Sequence, residues 1–478
     1  LNRPIVRLFG LVVLLFAVLV AFTSRWTIFE ASALRENPEN HRGFLEQQRI
    51  PRGEIVAADG TVLARSVRRE EGIYERVYPT GSLFANAIGY YFPTPGSTGL
   101  EHFRSAYLNG QSDTGLQRIL DELQGKKPRG DKVLTTLDPA AQRVAMADLA
   151  GHNGAVVALE PRTGAVTVMA SSPSYDPNTA STAAGFAKLA GDNVNKPLVN
   201  RATQFGYAPG STFKVVTATA AIDTGQYTPS SMLSGRNEIP ISGVPLKNDD
   251  NENLGEISLT EALARSVNTV WAQVAVHLGK PTMARYMERF GFDRKPLLDY
   301  PANEMSASGE HEGERIIPPT SESVDVGRMG IGQDKLEVTP LQMAEVAAAV
   351  GNHGTLMVPH MTARIVNPEG QTVKTVAPRV QSVVMKSSTA EAVRGMMEAV
   401  VNEGTGESAR IPGVQVAGKT GTAETQIGAA INNVWFIAFA PAADPTVAIA
   451  VTLEHVPGQG AAFAAPVARQ VIERLLHD

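Results

Sequence analysis

Residues 154–170, GAVVALEPRTGAVTVMA, read as two apolar strands joined by a turn at Pro161-Arg162-Thr163-Gly164. Downstream, 414–423, 434–440 and 447–454 read as three more strands, with Ala442-Ala443-Asp444-Pro445 turning between the last two. A final helix is expected over 462–476. Between the hairpin and these strands lie helical stretches at 211–223 and 339–350, the second with Thr339 as cap and Pro340 in its first turn. Strands, a long helical insert, more strands and a last helix predict one antiparallel sheet sandwiched by helices, an α+β fold rather than a doubly wound one.

Upstream of the hairpin the chain is charged and irregular. Residues 53–64 (GEIVAADGTVLA) read as a second hairpin turning at Asp59-Gly60, and 136–149 (TLDPAAQRVAMADL) as a helix capped by Asp138 with Pro139 at its first position. Residues 8–24 (LFGLVVLLFAVLVAFTS) carry no charge and follow Arg3 and Arg7, which reads as a membrane segment. The positive-inside rule then keeps the N-terminal tail cytoplasmic and places everything after Trp26 outside. The alternative is a cleaved signal peptide, for which Ala31-Ser32-Ala33 offers an A-x-A site, though one set further from the apolar core than is usual. With 478 residues the chain exceeds one compact core, and it divides into a tail and anchor (1–25), a mixed domain (26–150) and a C-terminal domain (151–478).

Composition narrows the chemistry. A formal charge of -5 and the lack of any polybasic run remove the electrostatic basis for nucleic-acid binding. Cys is absent, which excludes thiol catalysis and thiolate metal sites. The nine His form no H-x-x-x-H pair, and Asp249, Asp250 and Glu252 lack the spacing and glycine of a calcium loop, so they read as a solvated acidic loop and neither metal nor cofactor is expected.

Three short motifs carry the catalytic reading. Ser211-Thr212-Phe213-Lys214 follows the loop residues Ala208-Pro209-Gly210 and opens a helix, so the Ser211 hydroxyl and the Lys214 amine share one face. A lysine desolvated in a cleft is neutral near physiological pH and can take the hydroxyl proton. Ser266 is placed to relay a proton, and Asn268 to hydrogen-bond the substrate backbone. In Lys419-Thr420-Gly421-Thr422, on an expected strand, Gly421 admits a substrate backbone, Thr420 and Thr422 offer hydroxyls to a terminal carboxylate, and Lys419 adds a fixed positive charge. Singly these are ordinary caps, loops and turns. Each motif occurs once in the chain, and together they specify acyl transfer from a peptide ending in a free carboxylate.

With these residues in hand, the chain resembles a class B penicillin-binding protein, closest to the short-pedestal actinobacterial division type. Besides the three motifs, 171–178 (SSPSYDPN), Asn200-Arg201, Pro209-Gly210, Gly332-Gln333, 338–344 (VTPLQMA), Trp435-Phe436 and 460–466 match the family's transpeptidase domain. Arg52-Gly53-Glu54-Ile55, Asp59-Gly60 and Gly99-Leu100-Glu101 resemble its non-catalytic pedestal, although Ala57-Ala58 replaces the usual acidic-basic pair. The resemblance implies a penicillin-binding/serine β-lactamase-like fold and D,D-transpeptidation of stem peptides ending in D-Ala-D-Ala, through an acyl-enzyme on Ser211 that β-lactams also form. It further implies an oxyanion hole from the Ser211 and Thr422 N–H groups and, because no glycosyltransferase domain fits before Gly154, a SEDS-type membrane glycosyltransferase as partner. The rivals are a D,D-carboxypeptidase, a β-lactam hydrolase or sensor of the same fold, and an idle division scaffold.

Overall fold

The computed structural model describes residues 3–25, 48–69, 72–92, 95–111, 128–424 and 431–477. The Ala31-Ser32-Ala33 stretch lies outside them. Helix α1 (Arg3–Ser24) has 22 residues and an 18-residue apolar window with none of its surface buried. At 1.5 Å per residue it is about 33 Å long, enough to cross a hydrocarbon core of about 30 Å.

The pedestal is built on strands β1 (Ile55–Val56), β2 (Val62–Arg68), β3 (Tyr74–Val77) and β4 (Lys132–Thr135). Gly60, at φ +86°, supplies the turn expected between β1 and β2. Arg52 and Arg76 grip the buried Glu101 carboxylate, Nε to Oε2 at 2.6 Å and Nε to Oε1 at 2.5 Å, so the first and last of the three pedestal phrases that carry the resemblance meet in space.

Helix α2 (Pro139–Asp148) starts as its sequence requires, with Asp138 accepting from the Ala140 and Ala141 N–H groups and proline at the first turn. The catalytic sheet then begins with β5 (Gly154–Leu159) and β6 (Val166–Ser172), paired antiparallel. The helical insert follows: α3 (Lys214–Asp223), α4 (Asn268–Phe290), which is kinked at Gly279, and α5 (Pro340–Gly351), whose Thr339 cap accepts from the Gln342 N–H. The segment 299–322, polar and proline-rich, contains a short hairpin, Gly309–Glu312 with Arg315–Ile317. A hairpin of β7 (Thr362–Val366) and β8 (Thr372–Thr375) comes next, then α6 (Ser387–Glu403). The sheet is completed by β9 (Ala417–Glu424), β10 (Asn432–Ala440) and β11 (Val447–Val456), and α7 (Gly460–Leu476) closes the chain. Strand order is β9-β10-β11-β5-β6, every neighbour antiparallel.

Period-two alternation divides the side chains of this sheet between two cores. Val156, Ala158, Phe436, Ile449 and Val451 pack with α2 and α7, whereas Ala155, Val157, Trp435, Ile437 and Ala450 pack with α3, α4 and α5. Both faces are covered, which is why the strands read as unbroken apolar runs. Two elements cross between the chain's halves. Helix α2 lies against α7 on the catalytic sheet. Strand β7 pairs with β4, extending the pedestal sheet to the order β8-β7-β4-β1-β2-β3. Arg104 reinforces the junction by donating to Thr362 Oγ1 at 2.9 Å and to Asp299 Oδ2 at 2.7 Å.

Candidate active site

The chain enters the site through a fixed approach. Arg201, 1% exposed, pairs through Nε with Glu454 Oε1 of β11 at 2.8 Å, and the Tyr207 hydroxyl donates to the same oxygen at 2.6 Å. Trp435 Nε1 donates to the Ala208 carbonyl at 3.0 Å, so this tryptophan is core and a tether for the loop at once. Gly210 stands at φ +52°, where a Cβ would meet the Thr422 carbonyl oxygen at 2.5 Å. Behind it a Cβ on Gly332 would lie 1.9 Å from the Gly210 oxygen, so both positions need glycine.

Where a continuous helix from Ser211 was expected, Gly210–Phe213 forms a 3₁₀ turn that passes into α3. In 3₁₀ geometry residues i and i+3 eclipse, which aligns Ser211 with Lys214 more closely than an α-helical turn does. Lys214 Nζ lies 2.9 Å from Ser211 Oγ, 2.7 Å from the Ser266 carbonyl oxygen, 3.3 Å from Ser266 Oγ and 2.6 Å from Asn268 Oδ1.

Ser266 and Asn268 sit between two helices. The helix Leu259–Ala264 stops, Ser266 adopts φ +60°, and α4 begins at Asn268. A non-glycine residue in the left-handed region is strained, and here the conformation aims both Ser266 oxygens at the lysines. Lys419 reaches the same hydroxyl, Nζ to Ser266 Oγ at 2.9 Å, with the Thr420 carbonyl oxygen at 3.0 Å. Strand β9 is the sheet's edge, so beyond its pairing with β10 its outer backbone groups face the Ser211 turn. A Cβ on Gly421 would stand 2.8 Å from the Pro209 oxygen and 2.9 Å from Thr212 Cγ2, which is what brings the edge so near. The three motifs, distant in sequence, thus converge on one cleft.

Both lysines are fully buried. Burial pushes the Lys214 ammonium down to about 7, while the Asp249 carboxylate acts the other way. Burial, and then the neighbouring Lys214 charge, depress Lys419 as well, again opposed by Asp249. Two ammonium groups flanking one hydroxyl in a buried site disfavour each other's charge. The positive charge expected on Lys419 is thus opposed by its surroundings, and an incoming carboxylate would favour it.

Groups around the motifs have partners of their own. Thr420 Oγ1 lies 2.6 Å from Thr405 Oγ1, a residue between α6 and β9 with no motif to mark it. Thr422 Oγ1 accepts from the Gly460 N–H at 3.3 Å. Asp249, read as part of a solvated loop, lines the cleft with Ser211, Ser266, Thr405 and Thr420, and accepts from Asn268 Nδ2 at 3.2 Å. Only the loop's pairing across space reveals it. The cleft beside Ser211 is narrow and partly open, with about 20 Å³ at its floor, room for roughly one water. Among the described residues no cluster of His, Asp or Glu could hold a metal ion.

A nucleophilic serine hydrogen-bonded to a buried amine of depressed basicity, beside the unpaired edge of a sheet, defines a serine acyl-transferase. The family model of the penicillin-binding protein transpeptidase domain matches residues 154–473, and that of the penicillin-binding protein A dimerisation domain matches 52–133. A peptidoglycan D,D-transpeptidase PbpA of Mycolicibacterium smegmatis is 35% identical, the match covering 100% of this chain and 99% of that protein. The PbpA of Mycobacterium tuberculosis is 34% identical over 99% of each. The solved structure of penicillin-binding protein A from M. tuberculosis as a ceftriaxone acyl-enzyme superposes with a TM-score of 0.82 at 34% identity, covering 90% of this chain and all of that one. This chain belongs to the penicillin-binding protein transpeptidase family.

Proposed function

We propose that the protein is a membrane-anchored peptidoglycan D,D-transpeptidase. The observation that carries this reading is the 2.9 Å contact between Ser211 Oγ and the amine of Lys214, fully buried and with a titration point near 7. Lys214 takes the hydroxyl proton as Ser211 Oγ attacks the carbonyl carbon of the penultimate D-Ala in a stem peptide. The Ser211 and Thr422 N–H groups hold the oxyanion. As the C–N bond breaks, the proton returns through the Ser266 hydroxyl to the departing D-Ala amine. Asn268 orients the donor peptide, while Lys419, Thr420 and Thr422 bind its terminal carboxylate and Gly421 leaves room for its backbone. An amine of a neighbouring stem then attacks the ester, giving its proton to the same relay and releasing Ser211. β-Lactams enter as mimics of the terminal dipeptide, in keeping with the M. tuberculosis relative seen as an acyl-enzyme.

Helix α1 would anchor residues 1–25 in the cell membrane as a single pass, with the pedestal (26–150) and transpeptidase domain (151–478) outside the cytoplasm. A SEDS-type glycosyltransferase is the partner that would supply glycan strands. The test is labelling with a fluorescent penicillin, followed by peptide mass mapping. A stable adduct on Ser211, lost in Ser211→Ala, is expected; an adduct that survives the substitution, or none on wild type, would sink the assignment. Cross-linked dimer rather than trimmed monomer, from a donor peptide with an amine acceptor, separates transpeptidase from carboxypeptidase.

A further inference from the structure

We propose that Asp249 is a positioning residue of this acyl-transfer site, one that fixes the orientation of the Asn268 amide and supplies the negative charge balancing the buried Lys214–Lys419 pair. The inference rests on the transpeptidase reading above and extends it to a residue outside the three motifs.

An asparagine amide presents two donors on one side and an acceptor on the other, and nothing in the side chain itself decides which way it faces. Here the surroundings decide. Nδ2 meets two acceptors, the Lys247 carbonyl oxygen at 3.1 Å and Asp249 Oδ1 at 3.2 Å. Oδ1 is thereby left to accept from Lys214 Nζ at 2.6 Å, and Lys214 continues to Ser211 Oγ. The chain Asp249, Asn268, Lys214, Ser211 runs from a carboxylate at the cleft wall to the nucleophile.

The loop bearing Asp249 is built for that delivery. Asn248, buried, accepts from the Thr269 N–H at 2.9 Å, in the first turn of α4, and its Nδ2 donates to the Gly235 and Glu252 carbonyl oxygens, each at 3.0 Å. Pinning Asn248 to the turn that begins with Asn268 leaves Asp249 beside the amide. Asp249 acts on both amines and opposes the depression of each, and the Lys214 charge acts on Lys419 across the Ser266 hydroxyl they share. Asp250 and Glu252 of the same loop are exposed, and Glu252 is paired with Arg265 at 3.1 Å.

Removing the Asp249 charge favours the neutral form of both lysines. Lys214 then becomes a base at lower pH, which moves the acid limb of acylation downward. Lys419 also loses its proton sooner, so both limbs of the profile, which belong to the coupled pair, move toward acid. The test is the pH profile of the second-order rate constant for penicillin acylation of the full-length protein in detergent. Asp249→Asn is expected to displace the bell toward acid by about half a unit to one unit, a modest shift because the carboxylate is exposed and partly screened. Asp249→Ser, suited to an exposed turn, must give the same displacement, and Asp249→Glu must restore the wild-type position. A lower rate with the bell unmoved, or a displacement toward alkali, in the Asn and Ser variants overturns the proposal and leaves Asp249 a residue of a solvated acidic loop. A wild type that penicillin does not acylate at Ser211 instead overturns the transpeptidase reading beneath it.

Discussion

Lys214→Met should abolish acylation of Ser211 and at the same time flatten the dependence of stability on pH. An ordinary lysine titrates at 10.5, and this one at about 7 because burial penalises its charged form. At about 1.4 kcal/mol per pKa unit, carrying the amine into the fold costs about 5 kcal/mol at pH 7. Between those two pH values the unfolded chain binds the proton and the folded chain does not, so wild-type stability rises with pH across that window. The burden is greatest at and below pH 7 and disappears above 10.5. Methionine removes it, although Asn268 Oδ1 and the Ser266 carbonyl lose a donor, at about 1–3 kcal/mol each where no water replaces it. Those losses are nearly independent of pH. Lys419, freed of a like-charged neighbour, also regains basicity in the variant and flattens its curve further. Denaturant unfolding of the full chain at pH 7, 8 and 9 should therefore show the stability of the variant relative to wild type falling by about 2–3 kcal/mol over those two units. A constant difference between the two proteins would refute a buried, neutral Lys214, whatever the absolute stabilities.

Arg201→Met should destabilise by about 3–5 kcal/mol, since it strands the Glu454 carboxylate in the core; adding Glu454→Met should recover most of that loss, and a double variant no better than the single one counts against the pairing. Gly332→Ala should reduce Ser211 acylation along with thermal stability, because its Cβ would occupy the Gly210 carbonyl at a φ of +79°; penicillin labelling at wild-type rate contradicts that contact. Glu310, whose carboxylate is buried, is pushed up to about 8 by burial and then by Asp334 and Asp293, with Lys335 acting the other way. Its neutral form contributes fully below the ordinary 4.5 and is lost as pH rises through 8, so Glu310→Gln should gain on wild type by up to about 4 kcal/mol between pH 5 and 8, read as melting temperature against pH.

What could be read from the chain follows the range of the forces involved. Caps, turns and strand alternation are decided within a few residues, which is why Asp138, Thr339 and the Asp59-Gly60 turn stand where their neighbours require. The serine–lysine spacing is equally local, and Ser211 and Lys214 meet as that spacing dictates. Pairing is not local. Nothing within 362–375 says that β7 will join a strand from residue 132 instead of its own domain's sheet, because the donors and acceptors of an edge strand are the same for every partner. Asp249 was hidden for a similar reason, since an acidic loop has one appearance whether it faces solvent or an asparagine 19 residues on. The same division limits the electrostatics. Two motifs separately announce two lysines, and each alone invites a definite charge state. Their convergence on the Ser266 hydroxyl, 2.9 Å from one amine and 3.3 Å from the other, makes the proton count a property of the pair. A base and a cation are both needed for acyl transfer from a carboxylate-terminated peptide. On the transpeptidase reading, one proton shared between the two buried amines would provide both at once, Lys419 holding it beside the substrate carboxylate while Lys214 stays neutral.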